Sequence, residues 1–191
     1  MVLYDMKIIG FVGSPHRDGN TAAVVNAVLD GARKMGAETQ IFYASEMRVE
    51  TCRGCRACMN KKGCIINDDM KPFFDAFKTC DGLVFGSPNY MGQMSGQAKT
   101  FLDRLSPYIV PKFSPKFNPE YANKKLVLVF TQGNPDANKF KTYYDYTREM
   151  FEMLSFKTCG TIVLANTREH DAARLNQLNP EIEKVVRALI G

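Results

Sequence analysis

The sequence predicts an α/β fold built on a doubly wound parallel sheet. Short β-rich runs alternate along the chain with helix-length amphipathic segments, and most of the runs are continuously apolar, as strands covered on both faces are. Three of the runs end in turns rich in glycine and small polar residues, at the edge where sheets of this kind hold ligands.

Lys7 to Val12, Thr39 to Tyr43, Gly82 to Gly86, Lys125 to Thr131 and Thr161 to Ala165 read as the five strands. Asn20 to Met35, Asp69 to Lys78, Gln93 to Leu105, Asn138 to Leu154 and Pro180 to Ile190 read as helices, because apolar residues recur in them at three and four. A cysteine-rich loop over 50–68 follows the second strand. A second long segment, 106–122, carries Pro107, Pro111, Pro115 and Pro119, whose spacing prevents helix or central strand. Tyr108, Phe113, Phe117 and Tyr121 make it a candidate lid, oligomer contact, covering for a cofactor or locally packed surface excursion. At 191 residues the chain is long enough for one well-buried core, so 1–191 is expected to be a single domain.

Composition narrows the function classes. With 45% hydrophobic and 24% charged residues the chain is of ordinary globular type, and no apolar run approaches the roughly 20 residues that span a bilayer. The net charge of +5 is spread along the chain without the basic stripe of a nucleic-acid-binding protein. Residues 1 to 13 lack a signal-peptide layout and read as a first strand, which makes a reducing cytoplasm the expected compartment. There, six cysteines are better explained by metal binding, catalysis or burial than by disulfides.

The turn after the first strand, Gly13-Ser14-Pro15-His16-Arg17-Asp18-Gly19-Asn20-Thr21, leads straight into a helix. Its small residues let backbone N–H groups and the Ser14 and Thr21 hydroxyls converge on a phosphate at a helix N-terminus. Gly10, Gly13 and Gly19 do not make the dinucleotide spacing, and no Gly-Lys-Ser/Thr follows, so a monophosphate cofactor fits best. A plain turn with Asn20 or Thr21 as helix cap accounts for those two residues but not for the whole segment. After the third strand, Ser87-Pro88-Asn89-Tyr90-Met91-Gly92 offers backbone amides and an aromatic side chain to a flat ring with polar edges. After the fourth, Thr131-Gln132-Gly133-Asn134 makes a further glycine turn at the same edge.

Cys52, Cys55, Cys58 and Cys64 place four thiols within thirteen residues. Successive two-residue spacings curl the backbone around a centre, which ranks an iron-sulfur cluster first, zinc second and a redox disulfide third. Arg48, Arg53, Arg56, Lys61 and Lys62 surround them and form either a docking rim or an ordinary solvated loop. Cys80 and Cys159 lie beside strands and read as buried small hydrophobes, and the lone His170 receives no role.

Gly13-Ser14-Pro15 with Gly19-Asn20-Thr21, then Ser87-Pro88-x-Tyr90-Met91-Gly92 and Lys99-x-x-x-Asp103-Arg104, resembles the NADPH-dependent FMN reductase and iron-sulfur flavoprotein family. The resemblance implies a flavodoxin-like fold with flavin mononucleotide (FMN) at the strand ends. It implies that Ser14, Asn20 and Thr21 hold the phosphate, Pro88 to Gly92 the ring and ribityl region, and Gln132 to Asn134 the far edge of the ring. His16 stands where related sequences commonly have arginine, and Arg17 is placed to supply the charge instead. The compact cysteine motif ahead of Asp68-Asp69 resembles the one that holds a [4Fe–4S] cluster in the iron-sulfur flavoproteins, and the family implies homodimers or homotetramers. In this reading no side chain is catalytic, because the flavin carries the chemistry, passing electrons between a one-electron donor such as ferredoxin and a small two-electron acceptor. The alternatives are a cluster-free NAD(P)H-dependent reductase of flavin or quinone, and a non-catalytic electron carrier or redox sensor.

Overall fold

The computed structural model describes residues 6–60, 63–108, 119–168 and 172–191. Lys61, Lys62, Pro111, Phe113, Pro115, Phe117 and His170 lie outside the described residues.

Alternation along the strands decides which side chains meet which layer. In β1 (Lys7–Val12), Ile9 and Phe11 join one core cluster while Ile8 and Val12 join the other. The remaining strands are β2 (Glu38–Tyr43), β3 (Gly82–Tyr90), β4 (Gln93–Met94), β5 (Lys125–Thr131) and β6 (Lys157–Leu164). All but β4 run parallel, in the order β2-β1-β3-β5-β6, so the winding reverses between β1 and β3 and opens a crevice at their carboxyl ends.

Two chemically different layers cover the sheet. Helices α1 (Asn20–Lys34) and α6 (Asn179–Ile190) pack a valine-rich face in which Val24, Val25, Val28, Val185 and Val186 are buried. On the other face α2 (Met70–Thr79), α3 (Gly96–Arg104) and α4 (Lys141–Met153) bring Phe73, Phe77, Phe101 and Phe151 against Phe11, Phe85 and Phe130. Each such ring contributes about 1.5–3 kcal/mol by leaving water, so this aromatic face anchors the α2–α3 side of the crevice. A short helix, α5 (Ala172–Gln177), precedes α6 and is absent from the sequence expectation.

The five parallel strands match the expectation; several boundaries move for local reasons. β3 continues through Pro88 to Tyr90, although proline is poor in central strands. β1 ends its pairing at Val12 opposite Gly86, and only β5 runs alongside Ser87 and Pro88, so the missing N–H of proline costs the ladder little. Met91 (φ 53°) and Gly92 (φ 83°) are both left-handed, as a two-residue hairpin of type I′ requires, and β4 folds back on Asn89 and Tyr90. Hence α3 starts at Gly96 instead of Gln93, capped by Ser95, whose Oγ accepts the Ala98 N–H at 3.0 Å. β6 begins at Lys157, earlier than expected, with a register irregularity opposite Leu126/Val127.

Candidate functional site

The turns after β1, β3 and β5 meet at one cleft of about 610 Å³, within the range of roughly 300–1,000 Å³ typical of small-molecule sites. Ser14, His16, Arg17, Asn20 and Thr21 line one side, with Pro88, Asn89, Tyr90, Thr131 and Gly133 across from them. The walls are tied to one another across long stretches of sequence. Gly13 N–H bonds Gly86 O at 2.8 Å, Thr21 Oγ1 meets Thr131 Oγ1 at 2.8 Å, and Asn20 Nδ2 donates to Thr167 O at 3.3 Å. Gly86 permits this closeness, since a Cβ there would stand 2.5 Å from Val25 Cγ2.

The end of the cleft formed by the turn after β1 has the chemistry of an anion site. Gly19 is the N-cap of α1 and supplies no side-chain hydrogen bond to the helix, and the first turn of α1 carries no acidic residue. A Cβ on Gly19 would come within 3.1 Å of His16 Cβ, so the turn is tight there. Ser14 is buried, with its Oγ accepting the His16 N–H at 3.1 Å, which leaves its own proton to donate. Arg17 contributes to the wall, but its guanidinium is held on Glu46 at 2.6 Å and lies 3.4 Å over the Tyr43 ring. The hydrogen bond that Arg17 donates to Glu46 raises its pKa above the ordinary value.

The other predicted residues stand behind or beyond the cleft. Gln132 is buried: its Nε2 donates to Asn134 O at 3.1 Å and Asp136 O at 2.7 Å, and its Oε1 accepts from the Tyr144 hydroxyl at 2.7 Å. Tyr144 OH in turn accepts from Asn89 Nδ2 at 2.9 Å. Burial raises the Tyr144 pKa, against a smaller opposing effect of the Asn89 hydrogen bond, so the phenol keeps its proton. Asn134 Oδ1 accepts the Asp136 N–H at 2.9 Å. Met91, fully exposed, and Gly92 form the hairpin tip, next to the exposed Tyr90.

Two contributors escaped the sequence. Thr167, after β6, lines the cleft and donates its N–H to Gln132 O at 3.0 Å, but that loop has no glycine turn to mark it. Tyr144 shares helical spacing with core residues and is legible only as one of them.

The cysteine loop leaves the same sheet edge after β2. Cys52 and Cys55 are exposed, Cys58 and Cys64 half-buried, and among the described residues no three His, Cys, Asp or Glu side chains converge as a metal site. What the structure does hold is the base of the loop. Arg104, fully buried at the end of α3, gives Nη1 to Glu50 O and Asp68 Oδ2, both at 2.7 Å, and Nη2 to Asp68 Oδ1 at 3.0 Å. The Glu50 N–H reaches Asp68 Oδ2 at 3.0 Å, and the Arg48 N–H reaches Asp69 Oδ2 at 2.7 Å. Burial alone would raise the Asp68 pKa; the Arg104 hydrogen bonds and the Glu50 and Met70 N–H groups outweigh it and hold the carboxyl below its ordinary value.

This donor set fits an iron-sulfur cluster: four soft thiols lie in one short segment whose Gly54, Arg56 and Gly63 are left-handed, as a chain turning repeatedly on itself requires. Arg104 Nε, buried and without a hydrogen-bond partner among the described residues, and Cys64, against the same guanidinium, mark where the segment meets the body. Cys80 is buried, which pushes its thiol up to about 11, and Cys159 is half-buried, so both serve packing. Tyr108 and Tyr121, which flank residues 109–118 in the chain, meet edge to face at 5.3 Å.

A model of the NADPH-dependent FMN reductase family matches residues 6–170. The chain belongs to that family. Among curated members of similar sequence, an iron-sulfur flavoprotein of Methanosarcina thermophila is 35% identical over 99 residues, 52% of each chain. One from Methanocaldococcus jannaschii is 36% identical over 102 residues, 53% of each. The matched stretch spans about half the length of these relatives. Of the solved structures, an NAD(P)H:quinone oxidoreductase from Methanothermobacter marburgensis superposes with a TM-score of 0.73 at 15% identity, covering 97% of this chain and 96% of its own. An FMN-dependent NADH-azoreductase from Bacillus anthracis, solved with FMN, has a TM-score of 0.66 at 11% identity, covering 97% and 100%. At these identities the likeness is one of fold. Among the described residues of this FMN reductase family member, no helix is long and apolar enough to cross a membrane.

Proposed function

We propose that the three-loop cleft binds FMN and that the chain is a flavin-dependent oxidoreductase of the iron-sulfur flavoprotein type. The observation that carries the reading is the convergence of the turns after β1, β3 and β5 on one cleft, with an uncapped helix N-terminus at one end and Tyr90 at the other. Family membership supports the choice of flavin.

Ser14, Asn20 and Thr21, with His16 and Arg17 completing the turn, would hold the phosphate through hydroxyls and first-turn N–H groups. Pro88, Asn89 and Tyr90 would flank the ring, with Thr131 and Gly133 opposite; Gln132 and Asn134 brace that wall from behind, and Met91 and Gly92 shape the hairpin at its mouth. Cys52, Cys55, Cys58 and Cys64 would ligate a [4Fe–4S] cluster. Bound FMN exchanges electrons singly or in pairs and such a cluster only singly, so together they would connect a one-electron donor to a two-electron acceptor. A protein donor with an acidic face, of ferredoxin type, would dock at Arg48, Arg53 and Arg56, all exposed. The small acceptor would enter beside Tyr90, whose ring is half-exposed.

Anaerobically purified protein should carry FMN and about four irons with matching sulfide per chain, and Cys55→Ser should lose the iron while keeping the flavin. Folded, iron-free protein that reduces quinone with NAD(P)H would replace this reading with the cluster-free reductase. Protein without flavin would overturn both.

A further inference from the structure

Three side chains from three elements form one hydrogen-bonded chain at the back of the cleft, and its polarity is forced. Backbone carbonyls only accept, so the end of Gln132 facing Asn134 O and Asp136 O is its amide NH₂. Its Oε1 is therefore the end that meets Tyr144, and the phenol must give its single proton there, at 2.7 Å. The Tyr144 oxygen has only lone pairs left for Asn89, which turns Asn89 Nδ2 inward at 2.9 Å. Assigning an asparagine amide normally depends on weighing its neighbours; here two backbone carbonyls, two links away, decide it. Asn89 lines the cleft, and its Oδ1 has no hydrogen-bond partner among the described residues.

We propose that Tyr144 is a positioning residue that, through Asn89, presents a hydrogen-bond acceptor to the cleft and so selects the donating edge of its ligand, the imide N3–H of the isoalloxazine ring. The inference rests on the FMN reading and adds to it which edge of the ring is recognised and how. Tyr144 is suited to the task because packing holds it independently of its hydroxyl: it is buried, and its ring stacks on Phe130 at 4.2 Å with an interplanar angle of 15°. Removing the hydroxyl leaves the ring in place and frees Asn89 to present either end of its amide.

The test compares FMN with FMN methylated at N3, which has lost the imide donor, by equilibrium binding to flavin-stripped protein. Wild type should hold FMN about tenfold more tightly than the methylated flavin, the scale of one good hydrogen bond. Tyr144→Phe, in which the Asn89 amide is free to turn, should prefer FMN less than wild type does, and Asn89→Ala, which also serves if the first variant does not fold, should bind the two within about twofold. Tyr144→Phe keeps Asn89 and the shape of the cleft, so steric rejection of the methyl group would persist in it. Equal binding by wild type, or undiminished preference in Tyr144→Phe, overturns the inference while leaving FMN binding intact. Failure of wild type to bind either flavin overturns the FMN reading and the inference with it.

Discussion

The cleft and the cysteine loop leave the same edge of the sheet, and they are built in opposite ways. The cleft is tied from wall to wall, by Gly13 to Gly86, Thr21 to Thr131, Asn20 to Thr167 and Asn89 through Tyr144 to Gln132. The cysteine loop is held at its two ends by one buried guanidinium, and the thiols between them are exposed or half-buried. One region owes its shape to the sheet before any ligand arrives. In the other the described thiols are not gathered, and under the proposed reading a cluster would gather them, as metal does in segments folded around it.

The sharpest way to break this contrast is at Arg104. Arg104→Met leaves the Asp68 carboxylate buried and unpaired, at a cost of about 3–5 kcal/mol. Segment 50–68 should become protease-sensitive while flavin retention is unchanged. Flavin loss in step with loop cleavage would show the two regions to be one unit.

Acid offers a gentler probe. Asp68 titrates below its unfolded value, so the stability it contributes is fully present above about pH 4 and is lost as the pH falls through its folded value. Urea melts across this window should show wild type losing stability that Asp68→Asn, with no carboxylate to protonate, does not lose. Parallel acid limbs in the two proteins would remove Asp68 from the account.

The smallest effect belongs to the hairpin at the cleft mouth. Met91 is fully exposed and left-handed, so Met91→Gly relieves its backbone and should stabilise the protein by about 1 kcal/mol, offset in part by glycine's greater freedom when unfolded. Unaltered or lowered stability in thermal melts would mean that the methionine side chain contributes more than its backbone costs.

Reading the chain alone located the sheet, its carboxyl edge and the turns that line the cleft, because local pattern governs all three. It failed where long-range pairing decided. Pro88 reads as part of the turn after a strand ending at Gly86, yet β3 continues past it because β1 has already stopped pairing. Gln132 reads as a turn residue at the ring's edge, and its bonds to two carbonyls and to Tyr144 are not legible in that turn. Arg104 is legible in the Lys-x-x-x-Asp-Arg motif, but its burial is not, because its partners lie 36 and 54 residues away.

The meeting of Glu50 and Asp68 at Arg104 also bears on how such a chain can diversify. Because the two ends touch each other and a common anchor, the segment between them is a cassette whose length and content can change without moving the sheet. Loop-closure entropy resists such exchange only weakly, about 0.6 kcal/mol for each doubling of length. A shorter graft without thiols, or a longer one with a different metal motif, would sit on the same foundation and leave the neighbouring cleft to its own chemistry.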